Sequence, residues 1–205
     1  MTYTYRSVYN KIMNDESSKN RILDCALTLF STRGYDGVGI AEICAAADIT
    51  KPTLYYHFSS KEGLYKALWQ EKFAPLRHSL TAAAVYRPRP EDYHHDVLPV
   101  LAGIIVVYSD FAQAQPTFFR LLSSLLFAPD GSPASVLARE YRDFQFDLLL
   151  SLFTDIARAH GNLAGKEPLL AASFPGLIFS YISLGATSRY DAEALARQFM
   201  HGIFS

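Results

Sequence analysis

The stretch Asp48–Tyr65, "DITKPTLYYHFSSKEGLY", decides the fold. Thr50 has the side chain of a helix N-cap. Pro52 is tolerated just after it, because first-turn N–H groups have no intrahelical partner. The spacing predicts a short helix ending near Phe58. The "SSKE" that follows reads as a capping box in which Ser59 bonds the N–H of Glu62, opening a further helix through Leu64 and Leu68. On a wheel of ~100° per residue, Leu54 and Phe58 fall together as the inward pair. Tyr56 lies opposite them, flanked by Pro52 and Thr53. Lys51 and Tyr55 share one edge, and His57 takes the other.

Working outward, Ser17 or Ser18 is positioned to cap a helix running to about Arg33, with Ile22, Ala26, Leu29 and Phe30 as its apolar stripe and Gly34 as its left-handed stop. A second helix is expected over Val38–Ala46, started by Asp36 or a glycine, with Ile40 and Ile43 facing the core. The turn Ala47-Asp48-Ile49 joins it to the short helix. Helix, three-residue turn and second helix make a helix-turn-helix, whose second helix enters the DNA major groove. The outward face suits that task. Thr and Tyr hydroxyls meet phosphates or base edges, and Lys51 reaches a guanine or a phosphate. Lys61, opening the next helix, sits where its ammonium and nearby N–H groups can hold a phosphate. Residues 49–66 carry Lys51, Lys61 and Lys66 against Glu62 alone.

The formal net charge of −1 over 205 residues points to no partner by itself. Half of the residues are hydrophobic, which excludes a disordered chain. Beyond Pro75, expected to kink the fourth helix, "RPRP" (87–90), "PDGSP" (129–133), "HGNLAGKEP" (160–168) and "GATSRYD" (185–191) separate long helical segments. Gln115-Pro116 and Ser132-Pro133 mark helix starts, and Pro99 implies a bend or a later start in the 92–113 segment. The fold class is therefore all-α. Leu169–Ala186 is uncharged, and its three serines and Pro175 identify it as a helix buried in protein rather than a membrane span. Cys25 and Cys44 read as small buried hydrophobes. His94-His95-Asp96 lacks further ligands at matched spacing, so no metal site is assigned. No nucleophile elbow, glycine-rich phosphate loop or HExxH motif supports catalysis.

Residues 21–68, "RILDCALTLFSTRGYDGVGIAEICAAADITKPTLYYHFSSKEGLYKAL", resemble the DNA-binding domain of the TetR family of bacterial transcriptional regulators. Arg33-Gly34-Tyr35 after Phe30, Ile43 with Ala47, and above all "TLYYHFSSKEGL" at 53–64 carry the resemblance. It implies a homeodomain-like three-helix reading head over residues 17–62; residues 1–16 before it are expected to be a disordered tail. It also implies an effector-binding and dimerisation domain over 63–205. By the family pattern Lys51, Pro52, Thr53 and Tyr56 face base edges, while Tyr55, His57 and Lys61 meet phosphates. Two departures stand out: Val38-Gly39-Ile40 lacks the usual hydroxyl opening the second helix, and Asp48 replaces the usual glycine of the turn.

The resemblance further implies a cytoplasmic homodimer, formed through helices near 169–186 and 191–203, that binds a double-stranded palindromic operator. It implies no cofactor beyond a small effector that releases a repressor, and the lining candidates below suggest an apolar or aromatic one. Tyr108, Phe111, Phe119, Leu122, Phe144, Asp147, Phe174 and Tyr181 lie on helices expected to enclose that effector. The alternative reading is a helical small-molecule-binding protein or enzyme with a weakened reading head. An architectural DNA-binding protein without an effector is the third.

Overall fold

The computed structural model describes the backbone of residues 2–89, 91–125, 131–185 and 191–201, with side chains there except those of 2–14, 93 and 94. Among these residues all the helices are α1 Thr2–Arg33, α2 Ile40–Ala46, α3 Lys51–Phe58, α4 Lys61–Ala83, α5 Tyr93–Ala114, α6 Pro116–Ser124, α7 Pro133–His160, α8 Glu167–Ser183 and α9 Ala192–His201. None of the described residues forms a strand. The chain divides into two compact units. One holds Met1–Lys72 with Arg120–Leu137, and the other holds Phe73–Phe119 with Ala138–Ser205. The "RPRP", "PDGSP" and "GATSRYD" breakers lie partly outside the described residues.

In the first unit α1 begins at Thr2, so Ser17 and Ser18 lie within the helix rather than capping it. Residues 2–16 contain neither proline nor glycine, and nothing in them ends a helix. The buried arc of α1 comprises Ile22, Leu23, Ala26, Leu27 and Phe30. It centres on Ala26 and Phe30, which leaves Leu29 half-buried at its margin. Gly34 stops the helix as expected, with φ +71° and its N–H on the Phe30 carbonyl at 2.9 Å.

Gly39, not Val38, is the N-cap of α2, and Val38 is buried instead. The Glu42 carboxylate supplies the missing cap by accepting from the Gly39 N–H at 2.7 Å. The same carboxylate takes both ends of the Arg33 guanidinium, at 2.7 and 3.1 Å. The end of α2 is a Schellman motif: Ile49 N–H donates to the Cys44 carbonyl (3.0 Å) and Asp48 N–H to Ala45 (3.3 Å), with Asp48 at φ +49°.

Between α3 and α4 the cap differs from the sequence expectation by one residue. Ser59 is used to terminate α3, at φ +61° with its N–H on the Tyr55 carbonyl. Ser60 therefore caps α4, its hydroxyl accepting from Gly63 N–H at 2.9 Å, while Glu62 pairs with Lys66 at 2.6 Å. Gly63 is required here, since a Cβ would stand 2.1 Å from the Phe58 carbonyl oxygen. α4 runs on through Pro75, which leaves the Glu71 carbonyl without its helical donor. The division between the units falls in that turn, at Lys72 and Phe73.

In the second unit α5 packs against α8 and α9. It continues through Pro99. Residues His95–Ala114 are long and apolar enough to cross a membrane, but Val97, Leu98, Leu101, Ile104, Ile105 and Tyr108 are buried within the unit. Phe153, Phe174 and Phe199 tie α7, α8 and α9 together with ring centroids 4.7–6.1 Å apart. α6 and α7 begin at Pro116 and Pro133, as the Gln115-Pro116 and Ser132-Pro133 pairs predict. α8 buries Ala171, Phe174, Pro175, Ile178, Phe179 and Tyr181 and leaves Leu169, Ala172, Ser173, Gly176, Ser180 and Leu184 exposed.

Candidate nucleic-acid interface

α3 is eight residues long and would not persist alone, so its packing must hold it. Leu54 and Phe58 do so, at 0% and 6% exposure. Thr50 caps the helix through Thr53 N–H (3.4 Å), and the two hydroxyls pair at 2.9 Å. The outward face is the one the wheel gives. Lys51 and Pro52 are exposed and Thr53 is half-buried. Tyr55 is 46% and Tyr56 75% exposed, large for aromatic side chains on a packed helix.

His57 lies elsewhere. Its side chain is 7% exposed, with Nε2 3.5 Å from Asp15 Oδ1 on α1 and its ring 5.1 Å from that of Tyr56 in an edge-on contact. The imidazole is turned inward and braces Tyr56. This arrangement depends on α1 extending far enough towards its N-terminus for Asp15 to cover the edge of α3, which local sequence around α3 does not reveal.

Lys61 opens α4 and is half-buried, with Nζ 4.2 Å over the Tyr35 ring. Burial lowers its pKa, against the opposing pull of Asp36. Tyr35 in turn packs on Phe30 and Tyr65, at 5.8 and 4.9 Å. The ammonium thus has a fixed position beside the first-turn N–H groups of α4, a geometry suited to one phosphate oxygen.

Asp48 is exposed and adopts φ +49°, a conformation glycine takes without strain. We expect Asp48→Gly to raise stability by about 0.5–1 kcal/mol in thermal unfolding. It should also tighten DNA binding, because it removes an exposed negative charge just before α3. A lower Tm for this variant would contradict the strain argument.

Of the sequence-derived effector residues, Tyr108 and Phe119 both pack on Phe179, at 5.6 and 5.2 Å, and the others are spread more widely. Tyr108, Phe119 and Phe174 are buried, and Phe119 stacks on Phe179 at 5.2 Å. Phe111 meets Phe118, and Phe144 is half-buried between Phe73 and the Arg77 guanidinium. Tyr181 is buried on α8. Leu122 belongs to the first unit, and Asp147 is exposed. What the sequence reading missed is a buried polar cluster around Tyr108. Its hydroxyl lies 3.3 Å from that of Tyr141, and the Gln145 amide donates to both. Burial pushes the Tyr108 pKa up to about 12. Tyr141 and Gln145 sit on the stripe of Ala138, Leu149, Leu152 and Ile156, so two polar residues at core positions were the available signal. A surface cleft of about 250 Å³ lies between α4 and α5, lined by Leu76, Val107, Asp110 and Phe111 among others.

Among the described residues no three His, Cys, Asp or Glu side chains gather to hold a metal. His94 lies outside the described side chains, His95 is solvent-facing and paired with Asp92, and Asp96 is buried against Tyr86 and His160. Cys25 is half-buried, donating to the Ala46 carbonyl at 3.3 Å, whereas Cys44 is buried.

Residues 22–68 match the family of bacterial regulatory proteins, tetR family. The biofilm operon icaADBC HTH-type negative transcriptional regulator IcaR of Staphylococcus aureus (strain Newman) is 48% identical over 48 residues, 23% of this chain. The match spans about a quarter, 26%, of that relative's length. A putative fatty acid metabolism regulator of Clostridium perfringens has the same fold, with a TM-score of 0.72 and 21% identity over 90% of this chain and 99% of its own. The regulator FadR of Bacillus subtilis, solved in complex with stearoyl-CoA, gives 0.65 and 16% identity over 88% and 94%.

Proposed function

We propose that this chain, whose residues 22–68 match the tetR family of bacterial regulatory proteins, is a sequence-specific DNA-binding repressor released from a palindromic operator by a small-molecule effector. The observation that carries the reading is the exposure of Tyr55 and Tyr56 on a helix whose Leu54 and Phe58 are fully committed inward. Lys51, Pro52, Thr53 and Tyr56 meet base edges, and Tyr55 and Lys61 meet phosphates. His57 is a positioning residue, packed edge-on against Tyr56 and held by Asp15 of α1. The negative sign of regulation is supported by the name of the Staphylococcus relative.

The protein acts as a homodimer in the cytoplasm and is not an enzyme. α8 supports the dimer: it carries no charge from Leu169 to Ser183 and exposes the small residues Ala172, Ser173, Gly176 and Ser180, flanked by Leu169 and Leu184 at 70% and 84% exposure. A flat, uncharged face of this kind suits close approach of an identical helix. The effector is an apolar or aromatic molecule bound in the second unit, which the aromatic core there and the stearoyl-CoA of the Bacillus regulator support. α4 is continuous from the reading head into that unit, and a tenfold to hundredfold loss of operator affinity needs only ~1.4–2.8 kcal/mol of coupling.

The test is selection of bound duplexes from a random pool by the full chain. We expect an inverted repeat with half-sites about 34–36 Å apart or a small multiple of that. Enrichment of an isolated half-site, or none, would overturn the reading.

A further inference from the structure

Within the first unit lies a cavity of about 290 Å³, separate from the reading face and from every residue assigned to the effector above. Arg33, Tyr35, Asp36, Tyr65, Leu121 and Ser124 form much of its wall. A void lined only by apolar groups would be a simple packing defect that stays dry. This one is different. Tyr65 is 1% exposed, and its hydroxyl is buried without a hydrogen-bond partner. A native core seldom leaves a hydroxyl in that state, and a bound molecule is one way to complete it.

The charges select the ligand. The Arg33 guanidinium is committed to both oxygens of Glu42 and to the Gly37 carbonyl, so its positive charge is already matched. Asp36 makes no ion pair or hydrogen bond among the described residues, although the Lys61 ammonium feels its charge, and its carboxylate is the only one among the lining residues. Arg33 closes α1 and Gly34–Gly37 form the turn that follows it, so the helix's C-terminal end, with its partial negative charge, borders the cavity at Arg33. Tyr35 and Tyr65 add aromatic rings, and Tyr35 already holds the Lys61 ammonium 4.2 Å from its centroid. Carboxylate, helix C-terminus and aromatic rings all favour a cation, and Leu121, Leu125 and Ala134 favour an apolar body attached to it.

We infer that this cavity is a binding site for a small organic ammonium ion, and that its occupancy acts on DNA affinity through Tyr35 and the Lys61 seated on it. The binding half is independent of the proposed function; the second half rests on the reading of Lys61 as a phosphate contact.

Calorimetric titration of the full chain without DNA tests the first half, with benzylamine, benzyl alcohol and benzoate as cationic, neutral and anionic probes of one shape. Benzylamine is expected to bind with a Kd at least about tenfold below those of the other two. Asp36→Asn should weaken it about fivefold or more, and Tyr65→Phe about threefold. Neither variant should lower the Tm, because Asp36 is exposed and the Tyr65 hydroxyl has no partner to lose. Equal binding of all three probes, no binding of benzylamine, or full affinity in both variants would overturn the site. For the second half, saturating benzylamine should change the affinity for the selected duplex about threefold or more in the parent chain and not in Asp36→Asn. An unchanged affinity in the parent chain, with binding intact, would overturn the link to Lys61 and leave the operator reading standing.

Discussion

Replacing Tyr56 by alanine lowers operator affinity about tenfold to hundredfold, a loss of ~1.4–2.8 kcal/mol, and leaves the Tm within about a degree. The separation follows from where the side chain sits. At 75% exposure the ring contributes little to the core, which Leu54 and Phe58 supply from the opposite face of α3. Its one described ring contact is the edge of His57, itself held against Asp15. Fluorescence anisotropy on the selected duplex reads the effect, with an unrelated duplex as reference. The loss should be confined to the selected sequence, because base-edge contacts specify whereas phosphate contacts only position. Lys61→Ala is expected to behave differently. Affinity falls on both duplexes, and the slope of log affinity against log salt flattens by about one. If both variants bind as the parent does, the assignment of α3 and Lys61 to DNA fails.

The largest stability effect is expected at Asp96, far from the reading face in sequence. Asp96 is fully buried as a side chain and accepts from the Tyr86 hydroxyl and from His160 Nε2, each at 2.7 Å. Burial opposes its ionisation, but hydrogen bonds from Tyr86, the Arg89 backbone and His160 outweigh it and hold the carboxyl below its ordinary value. Asp96→Ala removes the acceptor and leaves the nearly buried His160 and the Tyr86 hydroxyl without it, at a cost of about 3–5 kcal/mol. The pH dependence has a definite direction. A carboxyl with a depressed folded-state pKa contributes its full stabilisation above its unfolded value of about 3.9 and loses it as pH falls through the lower folded value. The part of the difference carried by the Asp96 carboxyl should therefore be fully present above about pH 4 and shrink in acid below it. Denaturant unfolding at pH 7 and pH 3.5 measures this. A difference under about 1 kcal/mol at pH 7 would show that the cluster does not hold the unit together.

Sequence by itself determined what depends on neighbours a turn apart. Gly34 ends α1, Thr50 and Pro52 open α3, and Leu54 with Phe58 sets which way Tyr56 looks, because helix period and cap chemistry act over three or four residues. Asp48 stood out only against the family pattern, which usually carries glycine there, and the structure gives it φ +49°. Even there, the capping-box pattern pointed to Ser59 as the cap of α4, and the structure uses Ser60. Ser60 won because Ser59 was taken up in ending α3 and Gly63 has no Cβ to strike the Phe58 carbonyl.

Tertiary structure decided everything that joins distant segments. His57 was an edge residue on the wheel, and the arrival of Asp15 from α1 turned it into a brace. Tyr108 meets Tyr141 and Gln145 across 33 and 37 residues, and Asp96 meets His160 across 64. The cavity behind Tyr35 needs the end of α1, Tyr65 on α4, and Leu121, Ser124, Leu125, Ser132 and Ala134 at once. No periodicity reports such meetings, because a buried polar side chain shows only that it must find a partner, and the packing of the helices determines which one.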